Sequence, residues 1–205
     1  MPSRPDPGSF RDPTSRVYVD DHAVWRGLDE QALADFEAYA ATRAFRDAQA
    51  DGRLIATEAV PVADAPVGDG WAGALRHERV RVVSYPYEWS FAMLRDAALL
   101  QLDLARAALA EGILTKDATS YNVQFDGARP VFIDLGSFER LVPGQPWPGY
   151  RQFCELFLNP LVLQAEAEIP FHPWMRGAVN GISPTHAAAV LGRRKRFRKD
   201  LFTHV

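Results

Sequence analysis

The residues with the clearest chemistry fall in one short stretch, 116–138, which reads KDATSYNVQFDGARPVFIDLGSF. Asp117 is followed five residues later by Asn122, and Asp134 stands just before Leu135-Gly136. Two carboxylates and an amide are the groups that Mg²⁺-dependent phosphoryl transfer needs. One carboxylate can orient or deprotonate a hydroxyl, while the amide and the other carboxylate hold a metal against phosphates.

Local sequence brings these groups together. Val123 and Phe125 alternate with Asn122 and Gln124, which suits a half-buried strand. Asp126-Gly127 is a turn signal, and Val131-Phe132-Ile133 supplies the returning strand. Asp117 and Asn122 then lie before one strand of an antiparallel hairpin, and Asp134 at the end of the other, so the two ends are neighbours. Gly136 is expected to permit a backbone turn that a bulkier residue would resist.

KDATSYN resembles the catalytic loop of protein-kinase-like phosphotransferases, in which His-Arg-Asp is followed by four residues and Asn. FIDLG resembles their Asp-Phe-Gly segment, with Leu135 in place of Phe. The resemblance implies that Asp117 is the catalytic base, with Lys116 beside it in the catalytic loop. It implies Asn122 and Asp134 as Mg²⁺ ligands, and ATP as the nucleotide. The fold expected from it is α+β, a reduced two-lobe kinase-like architecture with a small β-rich lobe over residues 14–84 and a helical lobe over 85–192. In such folds the strand leaving the small lobe becomes a hinge that holds the adenine. Residues 84–89 (SYPYEW) occupy that place, and Tyr85 and Tyr87 are the candidate cofactor-binding rings. The alternative is that these aromatics are ordinary packing.

The sequence departs from an active kinase in three ways, the first being that Leu114-Thr115-Lys116 occupies the place of the catalytic-loop His. Its lysines are Lys116, Lys195 and Lys199, so the small lobe has none to grip phosphates. Arg26 or Arg53 would have to substitute, and an arginine fork is not the same compact point charge. There is also no Gly-x-Gly-x-x-Gly loop ahead of the hinge. VFIDLGS meanwhile looks like the first cofactor-binding strand of S-adenosylmethionine methyltransferases, but Phe138 stands where a second glycine is required, and that match fails.

Over a longer span the run from SYPYEWSFAML to FLNPLVLQA resembles the N-terminal region of bacterial two-domain proteins described as class I S-adenosylmethionine-dependent methyltransferases. A kinase-like region there precedes a Rossmann-type methyltransferase domain. The sequence ends at Val205, so the resemblance implies that the methyltransferase domain lies outside this chain and would act in trans or be missing. The function expected is an accessory module that recognises a nucleotide or small-molecule substrate. The alternatives are a Mg²⁺-ATP phosphotransferase and a pseudokinase-type interaction module.

The remaining sequence sets the frame. The 205 residues are 47% hydrophobic with a net charge of −3, enough for one sizeable core or two small lobes. No run approaches a membrane span, the N-terminus has no apolar signal segment, and single Cys154 excludes an intrachain disulfide, so a cytoplasmic protein is expected. Five scattered histidines, His77 among them, show no metal-ligand spacing and read as surface or packing residues. Residues 1–13 are rich in Pro and charge and are expected to be disordered or extended. Residues 16–19 and 23–26 read as a hairpin, and one helix is expected from Asp29 to about Ala50. Strands are expected over 53–60 and 77–84, with a Pro/Gly-rich loop between them. A helix from about 88 to 111 should bury Leu94, Ala98, Leu102, Ala105 and Leu109, and another from 150 to 165 should be interrupted at Asn159-Pro160. The run 193–199 carries six positive charges, and a basic tail over 193–205 is read as a solvated end, with nucleic acid an unlikely partner for lack of stacking aromatics.

Overall fold

In the computed structural model, described for residues 4–196, the chain is α+β, built on an antiparallel sheet. The sheet contains β1 (Arg4–Pro5), β2 (Ser15–Val19), β3 (Ala23–Leu28), β4 (Thr57–Val60) and β5 (Gly73–Glu78), in the order β1-β2-β3-β5-β4. The expected hairpin is β2–β3, with Tyr18 opposite Trp25. The described part of the Pro-rich N-terminus is folded rather than disordered: β1 pairs with β2, and a 3-10 turn spans Pro7–Arg11, with Gly8 N–H donating to Asp6 Oδ1. The basic run and tail from Arg193 onward lie outside the described side chains.

Between β3 and β4 the single expected helix is two, α1 (Glu30–Ala40) and α2 (Arg43–Ala50). Asp29 caps α1, accepting from Ala32 N–H at 2.8 Å. Thr42 then caps α2 by accepting from Phe45 N–H, and the Glu111 carboxylate accepts from the N–H groups of Arg43 and Ala44. Without Gly or Pro at the break, the N-cap Thr42 is the one local signal. The expected strand over 53–60 shrinks to β4, and that over 77–84 shifts back to β5. Gly73 opens β5 instead of closing a loop, because Leu33 packs where its side chain would be; a Cβ there would stand 2.6 Å from Leu33 Cδ1.

Residues 84–89 are not a strand. Pro86–Glu88 form a 3-10 turn, and α3 (Phe91–Leu109) starts behind the cap Ser90. Its buried face holds Leu94, Ala97, Ala98, Gln101, Leu104 and Ala108, whereas Leu102 and Leu109 are exposed. The buried positions advance by alternating steps of three and four, as a straight helix requires; repeated steps of four drift off that face. Then follow β6 (Ile113–Thr115), the hairpin β7 (Val123–Asp126) and β8 (Arg129–Phe132), and β9 (Phe138–Arg140), which pairs with β6.

The helical remainder is α4 (Tyr150–Phe153), a π-helical turn over Cys154–Leu158, α5 (Asn159–Ala167), α6 (His172–Gly177) and α7 (Pro184–Arg196). The expected interruption is this π-turn ahead of Asn159-Pro160, with Cys154 buried in it. Among the described residues no helix is long and apolar enough to cross a membrane.

One core joins the sheet to the helices. It runs from Leu28, Phe36 and Tyr39 through Leu94 and Leu104 to Leu135, Phe138 and Phe157. Within it Tyr39 of α1 stacks on Phe138 of β9 at 3.9 Å between ring centres, so α1 fixes the segment that follows Asp134. A second tie is polar: Phe132 N–H donates to Arg53 O, and Ile55 N–H donates to Phe132 O. The hairpin is therefore clamped to the chain entering β4.

Candidate functional site

The hairpin forms in the expected register, with Val123 opposite Phe132 and Asp126 opposite Arg129. Its Asp-Gly turn relies on Gly127 at φ +62°, where other residues are strained. Thr119 caps a 3-10 turn over Ser120–Asn122, and Ile133 N–H donates to Asn122 O at 2.8 Å, holding the two chain ends side by side. Lys116 N–H donates to Ser137 O, which ties the start of the loop to the far side of Asp134.

The consequence is convergence. Lys116, Asp117, Asn122 and Asp134 all line one cavity of about 700 Å³, whose opposite wall is the sheet with Val17, Val24, Arg26 and His77. Gly8 and Ser9 of the N-terminal turn close it from a third side. Asn122 Nδ2 donates to Ser137 Oγ at 2.9 Å, and Ser137 Oγ donates to Asp134 Oδ2 at 2.8 Å. Ser137 thus links the two candidate metal ligands, a role that spacing within 116–138 did not suggest.

Arg26 completes this wall. Its Nη2 lies 2.7 Å from Asp134 Oδ1, and the side chains are 12% and 25% exposed. The contact is an ion pair without an aligned hydrogen bond, since Asp134 Oδ1 and Arg26 Nε are both buried with no hydrogen-bond partner. Gly136 is needed here for space: its φ is not positive, and a Cβ would come within 2.6 Å of Arg26 Nη1. The chain does turn here, in a 3-10 turn over Leu135–Ser137, and the close approach of the guanidinium is a second reason for glycine at this position. Of the two arginines considered as lysine substitutes, Arg26 reaches the site, whereas Arg53 pairs with Asp51 at 2.8 Å.

Asp117 is in a different state. Burial raises its pKa, and the negative charges of Asp134 and Asp12 add to this against the opposing charge of Lys116. Across the cavity, His77 is held neutral, its pKa pushed down to about 3 mainly by burial and further by Arg26. Asp12 moves the other way. Burial would raise its pKa, but hydrogen bonds from Thr14 and Ser15 and the charge of Lys116 together bring it below the usual value.

Tyr85 and Tyr87 are not brought to this cavity. Their rings stack on each other at 5.4 Å, and Tyr87 instead borders a separate hollow with Glu88 and His172. The 3-10 turn at Pro86–Glu88 redirects them, where a continuous hinge strand would have carried them past the site. Trp89, from the same aromatic run, is fully buried against Phe125. Trp89 is core and Tyr87 packs against that core, while Tyr85 is exposed and stacks on Tyr87.

The donor set fits a hydrated Mg²⁺ carrying a nucleotide phosphate. Among the described residues there is no cluster of three or more His, Cys, Asp or Glu side chains able to hold a metal. A nucleotide-bound Mg²⁺ needs only one or two carboxylates, because phosphates and water supply the rest. The lining has five carboxylates (Asp6, Asp12, Glu78, Asp117 and Asp134) against two cations (Arg26 and Lys116), so it favours cations over bare anions. A second cavity, of about 870 Å³, shares Lys116, Asp117, Tyr121 and Asn122 with the first and extends toward Gln152 and Glu155. Asp117 faces both.

No described protein family matches the chain. Over 199 residues, 97% of its length, the chain is 39% identical to the nodulation protein NoeA of Rhizobium meliloti (strain 1021). It spans 41% of the length of that curated relative.

Proposed function

We propose that this chain is a kinase-like nucleotide-recognition module of a longer, methyltransferase-associated protein, and that it takes Mg²⁺-ATP in the cavity between Arg26 and the 117–134 hairpin. The observation that carries this reading is the ion pair from Arg26, on the third strand of the sheet, to Asp134, just beyond β8. Kinase-like enzymes use a glycine-rich loop over the phosphates, a cation on the third strand, a loop Asp, and then an Asn and an Asp for the metal. Apart from the glycine-rich loop, which the sequence lacks, residues of those types line this cavity in the same chain order: Arg26, Asp117, Asn122 and Asp134. The two-lobe kinase-like division belongs to the same proposal, with the sheet as the small lobe and the α3-to-α7 region as the large one.

Asn122 and Asp134 would hold the ion, and Arg26 would meet phosphate oxygens with a fork rather than a point charge. Bound Mg²⁺ would supply neutralisation of phosphate charge. Ser137 keeps Asn122 and Asp134 at fixed orientation, so little ordering remains to be done on binding. That the relative extends well beyond the match, together with the resemblance to methyltransferase-associated proteins, supports a partner domain elsewhere. The relative's name describes a process, nodulation, and names no reaction.

Calorimetric titration of Mg²⁺-ATP into the wild type and Asp134→Ala tests the reading. Binding that requires Mg²⁺ and weakens roughly tenfold or more in the variant is expected, in line with loss of a charge-assisted contact. No heat at millimolar nucleotide, with both proteins folded, would overturn it. Active phosphotransfer is the second reading, favoured by the raised pKa of Asp117 and its position facing both cavities. ATP consumption that survives Asp117→Asn would exclude it.

A further inference from the structure

The second cavity, which shares Asp117 with the first, differs from it in charge. Its two acids, Asp117 and Glu155, are matched by two bases, Lys116 and Arg151, and Arg151 is already engaged with Glu155 at 2.9 Å. The rest of its polar lining is uncharged: three amides (Asn122, Gln152 and Asn180) and three hydroxyl side chains. Pro148 and Leu156 add apolar surface. A charged ligand would give up its hydration here for no net attraction. A neutral one rich in hydroxyls would find donors and acceptors, with apolar surface for its C–H face.

Gln152 of α4 decides where such a molecule is gripped. Its Oε1 accepts from Ala118 N–H at 2.6 Å. A backbone N–H can only donate, so this bond fixes the amide: the oxygen is held by the residue after Asp117, and Nε2 is the open end of the side chain. Among the described residues none accepts from Nε2, and it is not one of the sealed polar atoms. The Asp117 carboxylate likewise has no hydrogen-bond partner among the described residues. A free donor and a free acceptor thus line one cavity, joined through a single backbone hydrogen bond. A hydroxyl serves both, because it donates one proton and accepts on its lone pairs. An ammonium would suit Asp117 but oppose the Gln152 N–H, and a phosphate would do the reverse. We propose that the second cavity binds a neutral, polyhydroxylated, sugar-like small molecule, one hydroxyl of which donates to Asp117 and accepts from Gln152 Nε2. The inference rests on this cavity alone and stands apart from whether the first one takes a nucleotide.

The test is an NMR titration of the full chain, with and without a non-hydrolysable Mg²⁺-ATP analogue. Methyl glucoside and myo-inositol are the neutral probes, glucosamine the cation and glucose 6-phosphate the anion. At least one neutral probe should bind at millimolar concentration, roughly tenfold or more tightly than either charged probe, and should shift the Gln152 side-chain amide. Gln152→Glu keeps an oxygen for Ala118 N–H but replaces the Nε2 donor with an acceptor. It should weaken the neutral probe about tenfold while the Ala118 amide stays protected from exchange. A purely structural Gln152 would leave that affinity unchanged, and this result overturns the proposal. So does a charged probe that binds best, or the failure of both neutral probes in either nucleotide state. Should Gln152→Glu fail to fold, a Gln152 amide resonance indifferent to the probes in the wild type overturns it equally. Binding of the ATP analogue is read in the same spectra, so failure of the nucleotide reading shows separately.

Discussion

Asp134 and Asp117 face one cavity from the two ends of a single hairpin, yet their surroundings are opposite. Asp134 is tied on both oxygens, by Arg26 and by Ser137. Among the described residues none hydrogen-bonds or ion-pairs with the Asp117 carboxylate, and burial beside two other acids makes its charge unwelcome. The contrast separates two jobs. A carboxylate with partners is a fixture that can hold an ion in one place, whereas a carboxylate without them is disposed to pick up a proton. The same contrast runs through the glycines on each side. Gly136, by Asp134, yields space to the end of a side chain; Gly181, which borders the Asp117 cavity at φ +79°, lies against the backbone carbonyl of Glu155.

The largest effect should come from breaking that last difference. Gly181→Ala must push a Cβ into the Glu155 carbonyl at a positive φ, and should cost roughly 3–4 kcal/mol. Gly136→Ala displaces only the Arg26 guanidinium and should cost about 1–2 kcal/mol. Urea unfolding with an unchanged m-value measures both, and equal losses would remove the distinction between the two walls.

Asp117→Asn sharpens the comparison through pH. A raised carboxyl pKa means that the folded state keeps a proton which the unfolded chain, near 3.8, has already released. Stability from this group is therefore full below the unfolded value and is lost as pH rises through the folded one. Above that, the ionised carboxylate is a standing penalty. Relative to wild type, Asp117→Asn should be more stable at pH 7 than it is at pH 3, by melting temperature. A constant offset between the two proteins across that range would contradict this account.

The smallest effect is expected at the aromatic pair. Since neither ring lines the cavity, Tyr85→Ala and Tyr87→Ala should each leave Mg²⁺-ATP affinity within roughly twofold of wild type. A tenfold loss in either would return the hinge region to the site.

The hairpin was legible because its signals are local: alternation, an Asp-Gly turn and a returning apolar strand all fall within a few residues. The cluster of Asp117, Asn122 and Asp134 followed from that geometry. Arg26 was named only as one of two substitutes, because what selects it over Arg53 is strand register and the space above Gly136, neither visible in composition. His77 gave no signal at all. Its place, buried in the cavity wall against Thr57, is a fact of cross-strand packing between β4 and β5. The aromatics of SYPYEW left two roles open for a physical reason as well: large apolar rings are equally at home against a ligand or against each other. The break between α1 and α2 depends on Glu111, in the turn that follows α3, accepting from the first N–H groups of α2.

The two backbone hydrogen bonds between residues 53–55 and Phe132 have a mechanical side. They make the approach to β4 and the end of β8 a single stiff lever, with Asp134 two residues beyond its tip. A tug on the sheet, from a neighbouring domain or from ligand settling under β3, would reach the carboxylate directly through peptide groups without first having to rearrange side chains.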